Sequence, residues 1–284
     1  ECNDLPPGHI VKLRYTPLQH TILSVEEQDS PYHETVEHFS SLLGMPIVIG
    51  QLHSQIASAL AAIKRSNRSL QTAYIMTDSA ALPIEFSRLV KQLKDAELLD
   101  TTITVGQAFG GDIEAVNIYT GLIAAKEIAK ADVVVVCPGP GNTGTGTKYG
   151  FSSIEQGEVI NAAAVLGGFP IAIARISFAD QRIRHRGLSH HTITSLETIA
   201  LCRCNLVLPM IDQERLFYIQ AQIGNTLIER KHKVRILDGR PGIEELSSRG
   251  ITVTSMGRKF NEAPEFFLAA SAAGRLAAEC ISAV

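Results

Sequence analysis

The densest concentration of unusual residues runs from Pro138 to Gly150: thirteen positions holding five glycines, three threonines, Asn142 and Lys148, directly after Val133-Val-Val-Val-Cys137. Glycine lets a backbone turn with positive φ and approach a ligand closely, and successive amides in such turns form an anion-binding concavity. Gly139, Gly141, Asn142, Thr143, Gly144, Thr145, Gly146, Thr147 and Lys148 can therefore offer amides, hydroxyls and one cation to a phosphate. Two nucleotide motifs are met only in letters. Gly139-x-Gly141-x-x-Gly144 has dinucleotide spacing, but the next capped helix starts some residues later, so its dipole is not aimed at these glycines. Gly141 to Gly146 has Walker spacing, yet Thr147 occupies the lysine position and Lys148 comes one residue late. A glycine-rich connector without a ligand is the plain alternative.

A second segment, Arg175 to Thr192, carries Arg175, Arg182, Arg184 and Arg186 against Asp180 alone, a local charge of +3 with neutral histidines. The whole chain, with 26 Lys+Arg and 29 Asp+Glu, sums to −3. Arginine forks grip phosphate or carboxylate through paired hydrogen bonds, and Ser189 and Thr192 add hydroxyls. His185, His190 and His191 suit proton transfer or metal ligation, with Asp78, Asp112 or Asp180 arriving from neighbouring loops to orient them or to hold Mg²⁺. Against a metal-dependent hydrolase, His190 and His191 are adjacent and no H-x-x-x-H pair exists. Arginines paired with the protein's own acids, or a surface that docks a partner or closes a homo-oligomer, are the non-catalytic readings. Arg175, ending a strand, is also where an NADP 2′-phosphate would be met. Asp78 and Asp112 read equally well as helix caps, His53 is a weaker candidate at the sheet end, and Ser79 and Ser177 lack a nucleophile elbow.

These loops follow β-branched runs that alternate with helical periodicity, the pattern of parallel βαβ units. Expected strands are Pro46–Ile49, Ala73–Met76, Thr102–Val105, Asp132–Cys137, Ile171–Arg175, Leu206–Leu208, Val234–Leu237 and Ile251–Thr254. Expected helices include Glu114–Lys130, one from Asp212 to Ile223, and Pro264–Val284; capping boxes at Ser152-x-x-Glu155 and Thr194-x-x-Glu197 place two more starts. Two short β stretches at His9–Tyr15 and Thr21–Glu26 surround Pro17. The fold expected is a mostly parallel, three-layer α/β sheet of the Rossmann or flavodoxin type over residues 30–284, preceded by a small β element over 1–29. In such sheets ligands bind outside the carboxyl ends of the strands, where both unusual loops fall.

Composition narrows the class. With 45% hydrophobic and 19% charged residues the chain builds a substantial core. A net charge of −3 removes the global case for a nucleic-acid binder. No run approaches the ~18 apolar residues of a membrane span, so a soluble, cytoplasmic protein is expected. Five scattered cysteines, Cys2, Cys137, Cys202, Cys204 and Cys280, do not suggest a disulfide framework, and Cys202-x-Cys204, on an expected helix, lacks the second pair of a zinc site.

Longer strings carry a resemblance: Lys12-Leu-Arg-Tyr-Thr-Pro-Leu-Gln19, Gly144 through Gly157, Arg175-Ile-Ser-Phe-Ala-Asp180, and His185-Arg-Gly-Leu-Ser-His-His-Thr192. Together they resemble a bacterial family catalogued only as a domain of unknown function, over nearly the whole chain. The resemblance implies a coherent fold and no particular reaction. It also implies further β-rich sequence ahead of Pro7, so that this chain is shortened at its front. The reading from residues is a binder of a small phosphorylated or nucleotide-like anion, with Mg²⁺ as a conceivable companion and phosphoryl or nucleotidyl transfer as the chemistry such parts would serve.

Overall fold

Buried parallel strands are covered on both faces and so read as near-continuous β-branched runs, which is how Val133–Pro138 and Pro46–Ile49 come to lie at the centre of the sheet, fully buried. The computed structural model describes residues 8–79 and 81–282; Cys2 and the start of the N-terminal β element lie outside them. In chain order the strands are β1 (Ile10–Lys12), β2 (His20–Ile22), β3 (Pro46–Ile49), β4 (Thr72–Thr77), β5 (Thr101–Val105), β6 (Ile113–Ala115), β7 (Val133–Pro138), β8 (Phe169–Ile173), β9 (Ile176–Ser177), β10 (Gly187–Leu188), β11 (Asn205–Pro209) and β12 (Lys233–Leu237). The helices are α1 (His33–Glu37), α2 (Gln55–Ser66), α3 (Arg88–Asp95), α4 (Ile118–Glu127), α5 (Glu155–Val165), α6 (His190–Thr194), α7 (Gln213–Gly224), α8 (Ile228–Lys231), α9 (Arg240–Ser248) and α10 (Pro264–Ser282).

Eight strands form one all-parallel sheet in the order β12-β11-β8-β3-β7-β4-β5-β6. From β3 the chain moves outward through β4, β5 and β6, returns to β7 between β3 and β4, then crosses past β3 to β8 and continues outward the other way. Right-handed crossovers taken in opposite directions must place their helices on opposite faces. Accordingly α2 packs with α9 and α10 on one face, while α4 and α5 cover the other. The α2–α10 contact is close enough that a Cβ on Gly274 would sit 2.1 Å from the carbonyl oxygen of Ala59. The N-terminal β1–β2 pair is a separate antiparallel hairpin. It is tied down by Lys12, fully buried, whose Nζ donates to the carbonyls of Gly106 (2.6 Å) and Ala108 (2.9 Å) and lies 3.3 Å from Glu114 Oε2.

Several expectations need correction. Ile251–Thr254 forms no strand, and Glu114 and Ala115, expected to open a helix, belong to the edge strand β6. Helix α4 starts only after Asn117, whose side chain accepts the amides of Tyr119 and Thr120. Neither proposed capping box forms. Glu155 Oε1 accepts instead from Thr77 Oγ1 (2.7 Å) and Ser79 Oγ (2.9 Å), and Glu197 accepts from the Leu227 amide. The true cap of the 190s helix is Ser189. Cys202 and Cys204 lie on a loop, not a helix. Asp212 does cap α7, and α10 begins at Pro264 as expected.

Candidate functional site

Strands β3 and β7 are neighbours whose chains leave the sheet in opposite directions, so the loops beyond them diverge and open a crevice at the carboxyl edge. A cleft of about 700 Å³ occupies that position. Leu52, His53 and Ser54 reach it from the loop after β3, and Gly139, Pro140, Gly141, Asn142, Gly144 and Gly146 from the loop after β7. Arg175, Arg182, Arg184, His185 and His191 enter from beyond β8, Arg88, Leu89 and Gln92 from α3, and the unpaired stretch 252–256 closes the remaining wall. Four guanidinium groups thus line the cleft, with no carboxylate among the described lining residues.

Arg175 is the centre of this arrangement. Only 5% of it is exposed, and no carboxylate pairs with it among the described residues. Its Nη1 donates to His191 Nδ1 at 2.9 Å, its Nη2 lies 3.5 Å from Met256 Sδ, and its own amide is held by Thr192 Oγ1. Burial, reinforced by the charge of Arg182, lowers its pKa to about 10. A guanidinium can only donate, so His191 Nδ1 must be the acceptor and the ring proton sits on Nε2. Burial and then the charge of Arg175 push His191 down to about 2, leaving it neutral near pH 7; the ring stacks on Phe151 with centroids 3.9 Å apart.

The expected histidine cluster exists. Ring nitrogens of His185, His190 and His191 all lie within 4.8 Å of one another. His185 Nδ1 meets Ser189 Oγ at 2.8 Å, and burial followed by Arg175 and Arg182 lowers its pKa to about 4. His190 is lowered by burial and by Arg184. The charges of Arg175, Arg182 and Arg184 act on these rings, opposed at His185 by Asp180. The expected aspartates do not join them. Asp180 is clasped by Arg182 through Nε (2.9 Å) and Nη2 (2.7 Å), a pairing that holds its carboxyl far below the usual range. Asp112 is bound by Lys94 and by the amide and hydroxyl of Thr102, and Asp78 accepts from the Gln107 amide; neither lines the cleft. Mg²⁺, which takes oxygen ligands, finds no free carboxylate on this wall among the described residues.

The glycine loop contributes less side-chain chemistry than its composition suggests. Thr145 Oγ1 donates to the Gly150 carbonyl and meets Thr147 Oγ1, which accepts the Gly150 amide, while the Thr143 amide is taken by Ser152 Oγ. Asn142 Oδ1 accepts from Ser152 Oγ and the Ser153 amide. Lys148 is exposed over the Tyr149 ring, off the cleft wall. What the loop brings to the cleft is backbone: Gly141 and Gly146 have φ of +110° and +80°, and a Cβ on Gly146 would press to 3.3 Å from Arg184 Cζ. Ser189 is buried as the α6 cap, with its oxygen turned to His185 and the His191 amide. Arg186 points to a different hollow, beside Phe178, Arg215 and Tyr218.

Two parts of the wall escaped the sequence reading. Arg88 looks like any exposed helical arginine until α3 is placed, and Thr252–Met256 resembles a strand. The weaker candidate His53 is a wall residue. Tyr74 Oη donates to the Cys137 carbonyl, so His53 donates from Nδ1 to Tyr74 Oη (3.1 Å) and accepts at Nε2 from Ser87 Oγ (2.6 Å). Burial lowers its pKa to about 4.

No helix among the described residues is long and apolar enough to cross a membrane. A search of curated proteins finds no match to this chain. The model of one protein family does match it, across residues 1–274, nearly the full length and including every wall of the cleft. The chain therefore belongs to the DUF3866 family, proteins of unknown function.

Proposed function

We propose that the cleft at the carboxyl edge of the sheet binds a small organic anion, a phosphorylated metabolite of nucleotide size. The observation that carries this reading is Arg175. A buried cation without a counter-ion is costly, and none of the described residues supplies one within ion-pairing distance, so a bound anion is the natural partner. Arg182 and Arg184 add two more guanidiniums, and His191, with its proton on Nε2, offers a neutral donor beside them. Backbone from Gly139 to Gly146 lets the ligand approach closely. Leu52, Leu89, Val253 and Met256 give the non-ionic part of the ligand an apolar surface, and about 700 Å³ falls within the usual range for a small-molecule site.

Phosphoryl or nucleotidyl transfer on that ligand would need a proton acceptor at the same wall. His191 is excluded from that role by its tautomer, which leaves His185 as the ring able to accept. The binding test is a thermal-shift titration with inorganic phosphate, pyrophosphate, AMP, ATP and glucose 6-phosphate. At a hundred times its Kd a ligand stabilises by about 2.7 kcal/mol, an easily read shift. The Arg175→Met protein should not respond, and Lys148→Ala should respond like wild type. A wild-type protein indifferent to every anion in the panel overturns the proposal.

A further inference from the structure

Resting on that reading, the arginines of the cleft divide into two groups, and the division says what shape of anion fits. Arg175, Arg182 and Arg184 belong to one end: Arg175 follows β8 and is fastened to His191, Arg182 to Asp180, and Arg184 lies against Gly146. Arg88 belongs to the other. It opens α3, whose first turn is capped by Ser87 Oγ, and the same hydroxyl donates to His53 Nε2, which in turn is fixed through Tyr74 to the ends of β4 and β7. This chain of four polar groups locks the start of α3 onto the sheet edge and so fixes the backbone that carries the exposed, cleft-lining Arg88. Gln92, one turn along α3, lines the cleft beside it.

Strands β8 and β4 are separated by β3 and β7, three inter-strand spacings or roughly 14 Å, before the side chains reach inward. Leu52, Leu89 and the glycine backbone line the same cleft. Arg88 has no ion-pair partner among the described residues, so its guanidinium is free for a ligand. We infer that the ligand is an organic bisphosphate whose two phosphoryl groups are held apart by a sugar- or nucleoside-sized spacer, one bound at the Arg175 end and the other at Arg88.

The test uses probes matched in their number of phosphoryl groups on the full chain, by calorimetric titration at physiological salt. Adenosine 3′,5′-bisphosphate and adenosine 5′-diphosphate carry the same number of phosphoryl groups, separated in the first and adjacent in the second; AMP is the single-anion reference. The separated bisphosphate should bind about tenfold more tightly than either, the equivalent of one additional charge-assisted contact. Arg88→Gln should bring the separated bisphosphate down to the affinity of adenosine 5′-diphosphate while weakening AMP by a clearly smaller factor. Equal affinity for the two diphosphorylated nucleotides, or an Arg88→Gln change that weakens AMP by the same factor, overturns the two-pole inference and leaves the anion site standing. Failure of all three to bind overturns both.

Discussion

Replacing Arg175 by methionine separates a structural arginine from a ligand-binding one, because the two roles predict stability changes of different size and a different response to anions. Arg175 is 5% exposed and pairs with no carboxylate among the described residues, and burial lowers its pKa to about 10 from an ordinary value of 12.5. A displacement of that size corresponds to roughly 3 kcal/mol against the charged folded form, present at every pH below about 10, where both folded and unfolded states carry the charge. Methionine keeps most of the apolar stem and relieves that term, but loses the hydrogen bond to His191, about 1.5 to 3 kcal/mol for a bond to a charged group. The two nearly cancel. Arg175→Met should therefore unfold within about 1 kcal/mol of wild type in anion-free buffer, a Tm change of roughly 2–4 °C at most. Adding a saturating phosphorylated ligand should raise wild type by about 2.7 kcal/mol and the variant not at all. Differential scanning fluorimetry in buffer with and without ligand reads both quantities. A variant destabilised by several kcal/mol, together with a wild-type Tm that ignores anions, would show that Arg175 is a packing and hydrogen-bonding residue and would refute the reasoning.

Acid should destabilise the protein in a window set by its buried histidines: the pKa of His53 and of His185 falls from about 6.5 unfolded to about 4 folded, so their contribution is complete above pH 6.5 and is lost as pH falls toward 4. Each gives a slope of up to about 1.4 kcal/mol per pH unit, and His53→Gln should flatten the urea-unfolding profile by one such slope between pH 6.5 and 4; an unchanged profile counts against a neutral buried ring. Lys12→Met leaves Glu114 without its buried cation and should cost about 3–5 kcal/mol by chemical denaturation, most of it restored by adding Glu114→Gln; no rescue would mean that the lysine's carbonyl bonds, not the charge pair, matter. Gly146→Ala places a Cβ at a φ of +80° and against Arg184, so ligand affinity should fall about tenfold with a stability loss near 1 kcal/mol; retained affinity would remove this turn from the site. Zn²⁺ should leave the wild-type Tm unmoved, and a rise abolished by His191→Gln would contradict the assigned ring tautomer.

How much of this was legible beforehand follows from what each residue's surroundings demand. Seven of the eight sheet strands announce themselves, because a strand covered on both faces must be apolar on both, as in Val133–Val136. The eighth, Ile113–Ala115, has Glu114 at its centre and reads as a helix start; its acidic residue is explained only by Lys12 arriving from the hairpin about a hundred residues earlier in the sequence. Ile251–Thr254 has strand composition but finds no partner and becomes cleft wall instead. The crowding of arginines after β8 was visible, yet which of them face the cleft depends on tertiary pairing: Arg182 is steered by Asp180 and Arg186 leaves for another hollow. Composition misled at Lys148 and the loop threonines, since hydroxyls two residues apart satisfy the loop's own amides before any ligand arrives.

The contact between Arg175 and His191 argues against a cation at the three histidines and supports the proposed anion beside them. To ligate a metal through Nε2, His191 would have to move its proton to Nδ1, where it would face an Arg175 N–H only 2.9 Å away, two donors directed at each other. Metal-binding histidines normally rely on an acceptor behind the ring, a carboxylate or carbonyl that strengthens the ligand nitrogen. Here a guanidinium occupies that place and does the reverse, drawing electron density from Nδ1 and making Nε2–H the better donor. Burial, with the charges of Arg175 and Arg182 adding to it at both rings and that of Arg184 at His190, keeps His185 and His190 uncharged near neutral pH. Protonating any of these rings is unfavourable while the cleft is empty, and a bound dianion would offset that field and raise their pKa values together. Proton uptake is therefore expected on binding inorganic sulfate, a dianion that does not itself titrate between pH 5 and 6, and is read as a buffer-dependent heat in calorimetry; sulfate binding with no proton uptake in that range would mean that the anion sits away from Arg175 and its histidines.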